Sequence, residues 1–193
     1  MKGWEVDEDP GVSPPRERSG RAKRLVELKA RLAAPEDVER RLLDHGATHV
    51  ARLRQIDTYF DRVLGRLKLR RQRPGADQLV HYDRPDRTGP KGSEVRVADV
   101  PPESGIGLVL SHALGVVAEV TKDRDVYDWH GTRVHLDRVQ HLGTFVEFER
   151  RVGPDDSEPS ARSDLLRMLG ELGIEESALV SGSYADLLRE GRP

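Results

Sequence analysis

Apolar and charged residues alternate along much of this chain. From Arg24 onward, Val26, Leu28, Ala30 and Leu32 fall on one side of an extended segment, and Glu27, Lys29 and Arg31 on the other. A period of two is the mark of a strand with one apolar and one charged face. The pattern returns at Leu67 and Leu69 against Arg66, Lys68 and Arg70. It returns again at Val134 and Leu136 against Arg133, His135 and Asp137, and at Val146 and Phe148 against Glu147 and Glu149. Lys122 and Arg124 share a face in the same way. The segments 24–32, 50–60, 66–73, 78–84, 93–99, 116–127, 132–139 and 144–152 therefore read as strands. Gly65, Pro74-Gly75, the turn-rich stretch 86–92, His130-Gly131 and 141–143 separate them.

Four segments follow a helical period instead. Pro35 opens one that runs to about 45, with Glu36 and Asp37 in its first turn, a stripe of Val38, Leu42 and Leu43, and Gly46 at its end. A second spans 103–114 and stops at Gly115. The third covers 161–172, where Leu165, Leu166 and Leu169 share a face, and the fourth 184–188. This spacing leaves little room for parallel βαβ units. The expected fold is α+β and mostly β: an eight-stranded antiparallel sheet, closed into a barrel, with flanking helices. Residues 1–20, with Pro10, Pro14, Pro15 and several acids, read as a disordered tail before one domain over 21–193. Trp4 lies in that tail and Trp129 beside a turn, so neither adds to the picture.

Composition turns the alternation into a question about charge. Of the 193 residues 34% are charged, yet 32 basic and 34 acidic side chains leave a net charge of only −2. The charged faces can be the solvated outer side of an ordinary antiparallel sheet. Alternatively, the apolar faces can lie outward under the helices while the charged faces line a lumen. A lumen of both signs suits a metal-bound polyphosphate. Carboxylates at Glu27, Asp137, Glu147 and Glu149 match a hard cation such as Mg²⁺ or Mn²⁺, and Arg and Lys match phosphate oxygens. The cations are 26 Arg and 6 Lys, and the planar guanidinium captures phosphate in a bidentate manner.

Several classes fall away. There is no cysteine, which excludes disulfide scaffolds, thiolate metal sites and cysteine nucleophiles. No apolar run approaches a membrane span and no apolar signal segment opens the chain, so a cytoplasmic protein without a membrane partner is expected. Gly105-Ile106-Gly107 lacks the context of a dinucleotide loop, and Gly89-Pro90-Lys91-Gly92-Ser93 has the wrong spacing for a phosphate loop and reads as a hairpin loop. His135, Asp137 and His141 lack the helical pairing of a zinc site. The basic run 62–73 has no interleaved aromatics, so nucleic acid is not expected as a partner.

Four strings carry a family resemblance: VELKARL (26–32), QIDTYFDRVLGRLKLR (55–70), EVTKDRDVY through VHLDRVQHLGTFVEFE (119–149) and SYADLL (183–188). In order and at these separations they resemble the CYTH family of triphosphate tunnel metalloenzymes, which groups class IV adenylyl cyclases with thiamine and inorganic triphosphatases. The resemblance spans 24–188 and implies a tunnel with a charged lumen. By motif position it implies metal binding at Glu27, Asp137, Glu147 and Glu149. It implies triphosphate binding at Lys29, Lys68, Arg70, Arg84, Lys122, Arg124 and Arg133, and water activation by Lys29 with Tyr59. One position departs from the pattern: Leu25 stands where the family's first motif has an acid.

The activity implied first is class IV cyclase-like, converting ATP to cyclic AMP and pyrophosphate with Mg²⁺ or Mn²⁺. The alternatives are a triphosphatase acting on thiamine triphosphate, tripolyphosphate or a nucleoside triphosphate, and a non-catalytic polyphosphate-binding module. A homodimer is compatible with any of them. The low aromatic content provides no obvious stacking platform for adenine.

Overall fold

The computed structural model describes residues 22–61, 64–101, 103–153 and 156–191. The expected tail over 1–20 lies outside the described residues.

Eight strands form one closed antiparallel barrel: β1 (Lys23–Leu32), β2 (Thr48–Phe60), β3 (Arg66–Arg73), β4 (Asp77–Asp83), β5 (Lys91–Val100), β6 (Val116–Trp129), β7 (Thr132–Val139) and β8 (Gly143–Arg151). Around the barrel the order is β1-β5-β4-β3-β2-β6-β7-β8. Two meanders, β2 to β5 and β6 to β8, join along β2 and β6, and β1 closes the ring between β5 and β8. Closure removes the sheet edges except along the end of β1 beyond Glu27.

The alternation sorts the two faces as the lumen reading requires. Val26, Leu28 and Ala30 are buried with Val134, Val146 and Phe148 of the neighbouring strands. Over them lie α1 (Pro35–Asp44), through Val38 and Leu42, and α3 (Glu158–Glu171), through Leu165, Met168 and Leu169. The main apolar core thus sits outside the barrel, between strands and helices. The charged faces point inward and are also buried: Lys29, Lys68, Lys122, Arg124, Asp57 and Asp137 are each at most 7% exposed. That burial rules out the solvated-face alternative.

Some local expectations need correction. The hairpin loop read at 89–93 gives way to strand at Lys91, and Lys91 is wholly buried. Trp129 is a core residue whose Nε1 donates to the His45 carbonyl at 3.2 Å. The second helix, α2 (Ile106–Leu114), begins after Gly105, which holds a left-handed φ of 66°. A short 3₁₀ turn at Glu176–Ala178 was not anticipated.

That turn positions the last helix. β5 pairs with β1 only as far as Glu27, which leaves the later residues of β1 open on that side. The chain at 179–180 takes this place: Leu179 bridges Ala30, and the Val180 N–H donates to the Lys29 carbonyl at 3.0 Å. The next residues therefore arrive at the lumen, and α4 (Tyr184–Glu190) starts there.

Candidate functional site

Strand register builds the acidic side of the lumen. Glu27 faces Glu149 across β1 and β8, Lys29 faces Glu147, and Glu147 faces His135 across β8 and β7. Glu27, Leu28, Lys29, Glu147 and Glu149 line a cavity of about 20 Å³. That volume holds one water molecule or one ion. Glu147 is tied to cations, with Oε1 3.0 Å from Lys29 Nζ and Oε2 2.5 Å from Arg124 Nη2. Burial alone would raise its pKa, but Lys29 and Arg124 overcome this and hold it well below the usual carboxylate range. Glu27 is ion-paired with Arg84, whose Nη2 also donates to the Gly182 carbonyl at 2.8 Å. Its pKa is raised by burial, and the nearby Glu149 and Glu147 charges add to the rise against the opposing pull of Arg84.

Two buried aspartates organise the basic side. Asp137 accepts from Arg124 Nε and Nη2, each at 2.6 Å, from Lys122 Nζ at 3.3 Å and from the Tyr184 hydroxyl at 2.8 Å. Asp57 accepts from Lys68 Nζ at 2.7 Å and from Arg70 Nε and Nη2 at 2.8 and 3.0 Å. Burial opposes ionisation of Asp57, but Arg70 and Lys68 keep it a carboxylate. Burial and the Arg70 charge bring Lys68 down to about 7. Lys122 is also lowered, by burial and by Arg124.

α4 enters this space with Tyr184. Its first turn is a capping box: Asp186 Oδ2 accepts from the Ser183 N–H, and Ser183 Oγ accepts from the Asp186 N–H. Arg66 Nη2 holds Asp186 at 2.8 Å, anchoring the helix to β3. The Tyr184 ring packs edge-on to Phe145 at 5.0 Å and lies 3.7 Å beneath Lys29 Nζ.

The structure therefore gathers Glu27, Lys29, Lys68, Arg70, Arg84, Lys122, Arg124, Asp137, Glu147 and Glu149 about one lumen. Arg133 shares the lumen face but sits toward solvent, with its side chain 41% exposed and 3.6 Å from Asp128. Tyr59 lies within 5.4 Å of Lys68, whereas the ring against Lys29 is that of Tyr184. Asp137 does not line the carboxylate cavity. Leu25 is on the same strand face as Glu27, opposite Ser93 and Arg151.

Sequence reasoning assigned no role to Asp57, Lys91 or Tyr184. Asp57 alternates with Gln55 and Tyr59 on one strand face, a signal that was available. Lys91 faces Glu27 across β5 and β1, and burial together with Arg84 lowers it to about 8. Extending the alternation of Ser93 backward would have reached it. No periodicity marks Tyr184, because its placement depends on where the chain re-enters the lumen.

A CYTH domain model matches residues 23–184. The chain belongs to the CYTH family. Comparison with curated proteins gives no match. Among solved CYTH-like structures, PH1012 from Pyrococcus horikoshii superposes with a TM-score of 0.74 at 22% identity, covering 84% of this chain and 98% of that one. A candidate adenylate cyclase from Vibrio parahaemolyticus gives 0.73 at 16% identity, covering 86% and 98%. HpAC1 from Hippeastrum, described as a candidate adenylyl cyclase with a dominant triphosphatase activity, gives 0.63 at 16% identity, covering 89% and 97%. At these identities the likeness is one of fold. CYTH triphosphate tunnel enzymes are metal-dependent, and family neighbours act on triphosphate substrates. Among the described residues, no helix of this CYTH protein is long and apolar enough to cross a membrane.

Proposed function

We propose that this CYTH protein is a metal-dependent triphosphatase whose substrate is compact, with inorganic tripolyphosphate as its simplest form. The supporting observation is the juxtaposition, in one lumen, of an ion-sized cavity among Glu27, Glu147 and Glu149 with the cations Lys29, Lys68, Arg70, Lys122 and Arg124.

The residues fit a divalent cation. Three carboxylates converge on the cavity, and Glu149, half-buried, faces Glu27 across β8 and β1 and has His135 Nδ1 3.9 Å from its Oε1. Oxygen donors of this kind suit Mg²⁺ or Mn²⁺. A cation held by Glu27, Glu147 and Glu149 would neutralise phosphate oxygens and polarise the phosphorus. Asp137, saturated by Arg124, Lys122 and Tyr184, serves on this reading as the anchor of the cation cage rather than as a ligand.

The ion pairs also link the two ligands. Glu147 neutralises Lys29 and Arg124, and Glu27 neutralises Arg84. If these carboxylates held a metal, Lys29 and Arg84 would lose their ion pairs and Arg124 its pair to Glu147 while keeping Asp137, so each would gain donor capacity toward phosphate. Lys68 and Arg70, fixed by Asp57, hold the other end of the chain of phosphates. Lys29 then stands between the carboxylates and the phosphate, placed to orient the attacking water. Tyr184 sets its position from below, and Tyr59 acts through Lys68.

A compact substrate is favoured by the state of the lumen aromatics. Tyr59 and Tyr82 lie near Lys68, and Tyr184 against Lys29, so each of these rings already has a cation beside it. The second reading is a class IV cyclase, favoured by the description of the Vibrio neighbour. The deciding experiment incubates the protein with tripolyphosphate, thiamine triphosphate and ATP, each with Mg²⁺ or Mn²⁺. Inorganic phosphate from tripolyphosphate supports the proposal. Cyclic AMP and pyrophosphate from ATP would replace it with the cyclase. Tight binding without turnover would leave a binding module.

A further inference from the structure

One buried polar atom at the carboxylate cluster, His135 Nδ1, has no hydrogen-bond partner among the described residues. His135 projects from β7 into the lumen, where register places it opposite Glu147. Its side chain is 9% exposed, and its Nδ1 is buried without a hydrogen bond. That nitrogen lies 3.9 Å from Glu147 Oε2 and 3.9 Å from Glu149 Oε1. A buried imidazole nitrogen without a partner costs free energy. Both separations are too long for a hydrogen bond, yet within the span of two metal–ligand bonds of about 2.1 Å each. One donor atom from each of His135, Glu147 and Glu149 lies within 4.8 Å of the others.

We infer that His135 is a nitrogen ligand of the lumen metal beside Glu27, Glu147 and Glu149, a donor set that prefers a first-row transition cation to Mg²⁺. The inference rests on the metal-site reading above and adds a donor to it. Mg²⁺ favours oxygen donors throughout and gives up water reluctantly, whereas imidazole suits Zn²⁺, Co²⁺ and Ni²⁺. The neighbouring lumen position on β1 is the apolar Leu25, so no further carboxylate from that strand shifts the donor set back toward Mg²⁺. Glu147 must release Arg124 in part for this to happen, because both share Oε2. Metal capture at His135 would therefore loosen Arg124 Nη2 from Glu147 while Asp137 keeps the guanidinium in the lumen.

The test is calorimetric titration of the intact chain with Zn²⁺, Co²⁺, Mn²⁺ and Mg²⁺ alone, for wild type, His135→Asn and Glu149→Gln. Visible absorption of the Co²⁺ form reports nitrogen ligation, and thermal melts verify folding. Wild type should bind Co²⁺ and Zn²⁺ at least about tenfold more tightly than Mg²⁺. His135→Asn should lose about tenfold or more of that affinity while changing Mg²⁺ little. If the variant fails to fold, side-chain ¹⁵N spectra of the wild type with Zn²⁺ decide: the His135 Nδ1 resonance must shift. An unshifted resonance, or equal Zn²⁺ affinity in His135→Asn, overturns the inference. Weakened binding in Glu149→Gln alongside an unaffected His135→Asn would sink the histidine ligand and spare the carboxylate site. Unaffected binding in both would sink the metal-site reading as well.

Discussion

Lys29 Nζ rests 3.7 Å from the centre of the Tyr184 ring, joining the first strand of the barrel to its last helix. The contact seats a cation on the electron-rich face of an aromatic ring in a buried lumen. The same tyrosine donates its hydroxyl proton to Asp137 at 2.8 Å. One residue thus ties α4 to both the acidic and the basic side of the site.

Tyr184→Phe keeps the ring and removes the hydroxyl. A hydrogen bond to a charged acceptor contributes about 2 kcal/mol. For a domain of this size that is a fall of about 4–8 °C in Tm. The melt should retain its cooperativity. An unchanged Tm would mean that the hydroxyl contributes nothing to the lumen.

Asp57 is the sole carboxylate bonded to both Lys68 and Arg70 among the described residues. Asp57→Asn leaves two buried cations without their counter-charge, at a cost of about 3–5 kcal/mol. Phosphate or tripolyphosphate should restore more stability to this variant than to wild type, since the anion replaces the lost charge. Thermal melts with and without millimolar anion measure the difference.

Lys68, brought to about 7, changes charge near neutral pH. Between that value and the ordinary lysine value of about 10.5, the unfolded chain carries the extra proton. Stability from this group therefore rises with pH across the window, and its unfavourable contribution is fully present below about 7. Anion binding follows the opposite sign, because the neutral amine holds phosphate less well. Metal-free affinity for tripolyphosphate should fall more steeply with pH from 7 to 9 in wild type than in Lys68→Arg. Parallel slopes in the two proteins would show that Lys68 does not titrate there.

Asp186 accepts from Ser183 N, from Ser183 Oγ and from Arg66. Asp186→Ala removes the side-chain half of the capping box and the Arg66 anchor together, while Ser183 Oγ still accepts from the N–H of residue 186. A hydrogen bond lost to a charged acceptor costs about 1.5–3 kcal/mol. Hydrogen exchange should accelerate in α4 while β6 and β8 keep their protection. Uniform acceleration would indicate global destabilisation instead.

Glu147→Gln with Glu149→Gln removes two of the three acids at the cavity and should abolish metal-dependent turnover. Leu25→Glu adds an acid on the same strand face and should tighten metal binding, although Arg151 opposite will draw part of its charge. An unchanged metal titration for Leu25→Glu would show that this position lies out of reach.

The sequence by itself determined the strands, their faces and most of the charged residues about the lumen. Side-chain direction in a strand repeats every two residues, so Glu27 and Lys29 must part from Val26 and Leu28 whatever surrounds them. Near-cancellation of charge was legible too, as acids and bases sorted onto one face. Which charge meets which was decided only by closure of the barrel. Lys91 reaches Glu27 because β5 pairs with β1, and Arg124 reaches Glu147 across β7, between strands that are not neighbours. Tyr184 enters the lumen because β5 pairs with only part of β1 and the chain at 179–180 fills the gap. His135 gained its place beside two glutamates from register alone. Local periodicity encodes the face of a side chain, but its partner depends on the register of strands far apart in sequence, and only the folded barrel holds that information.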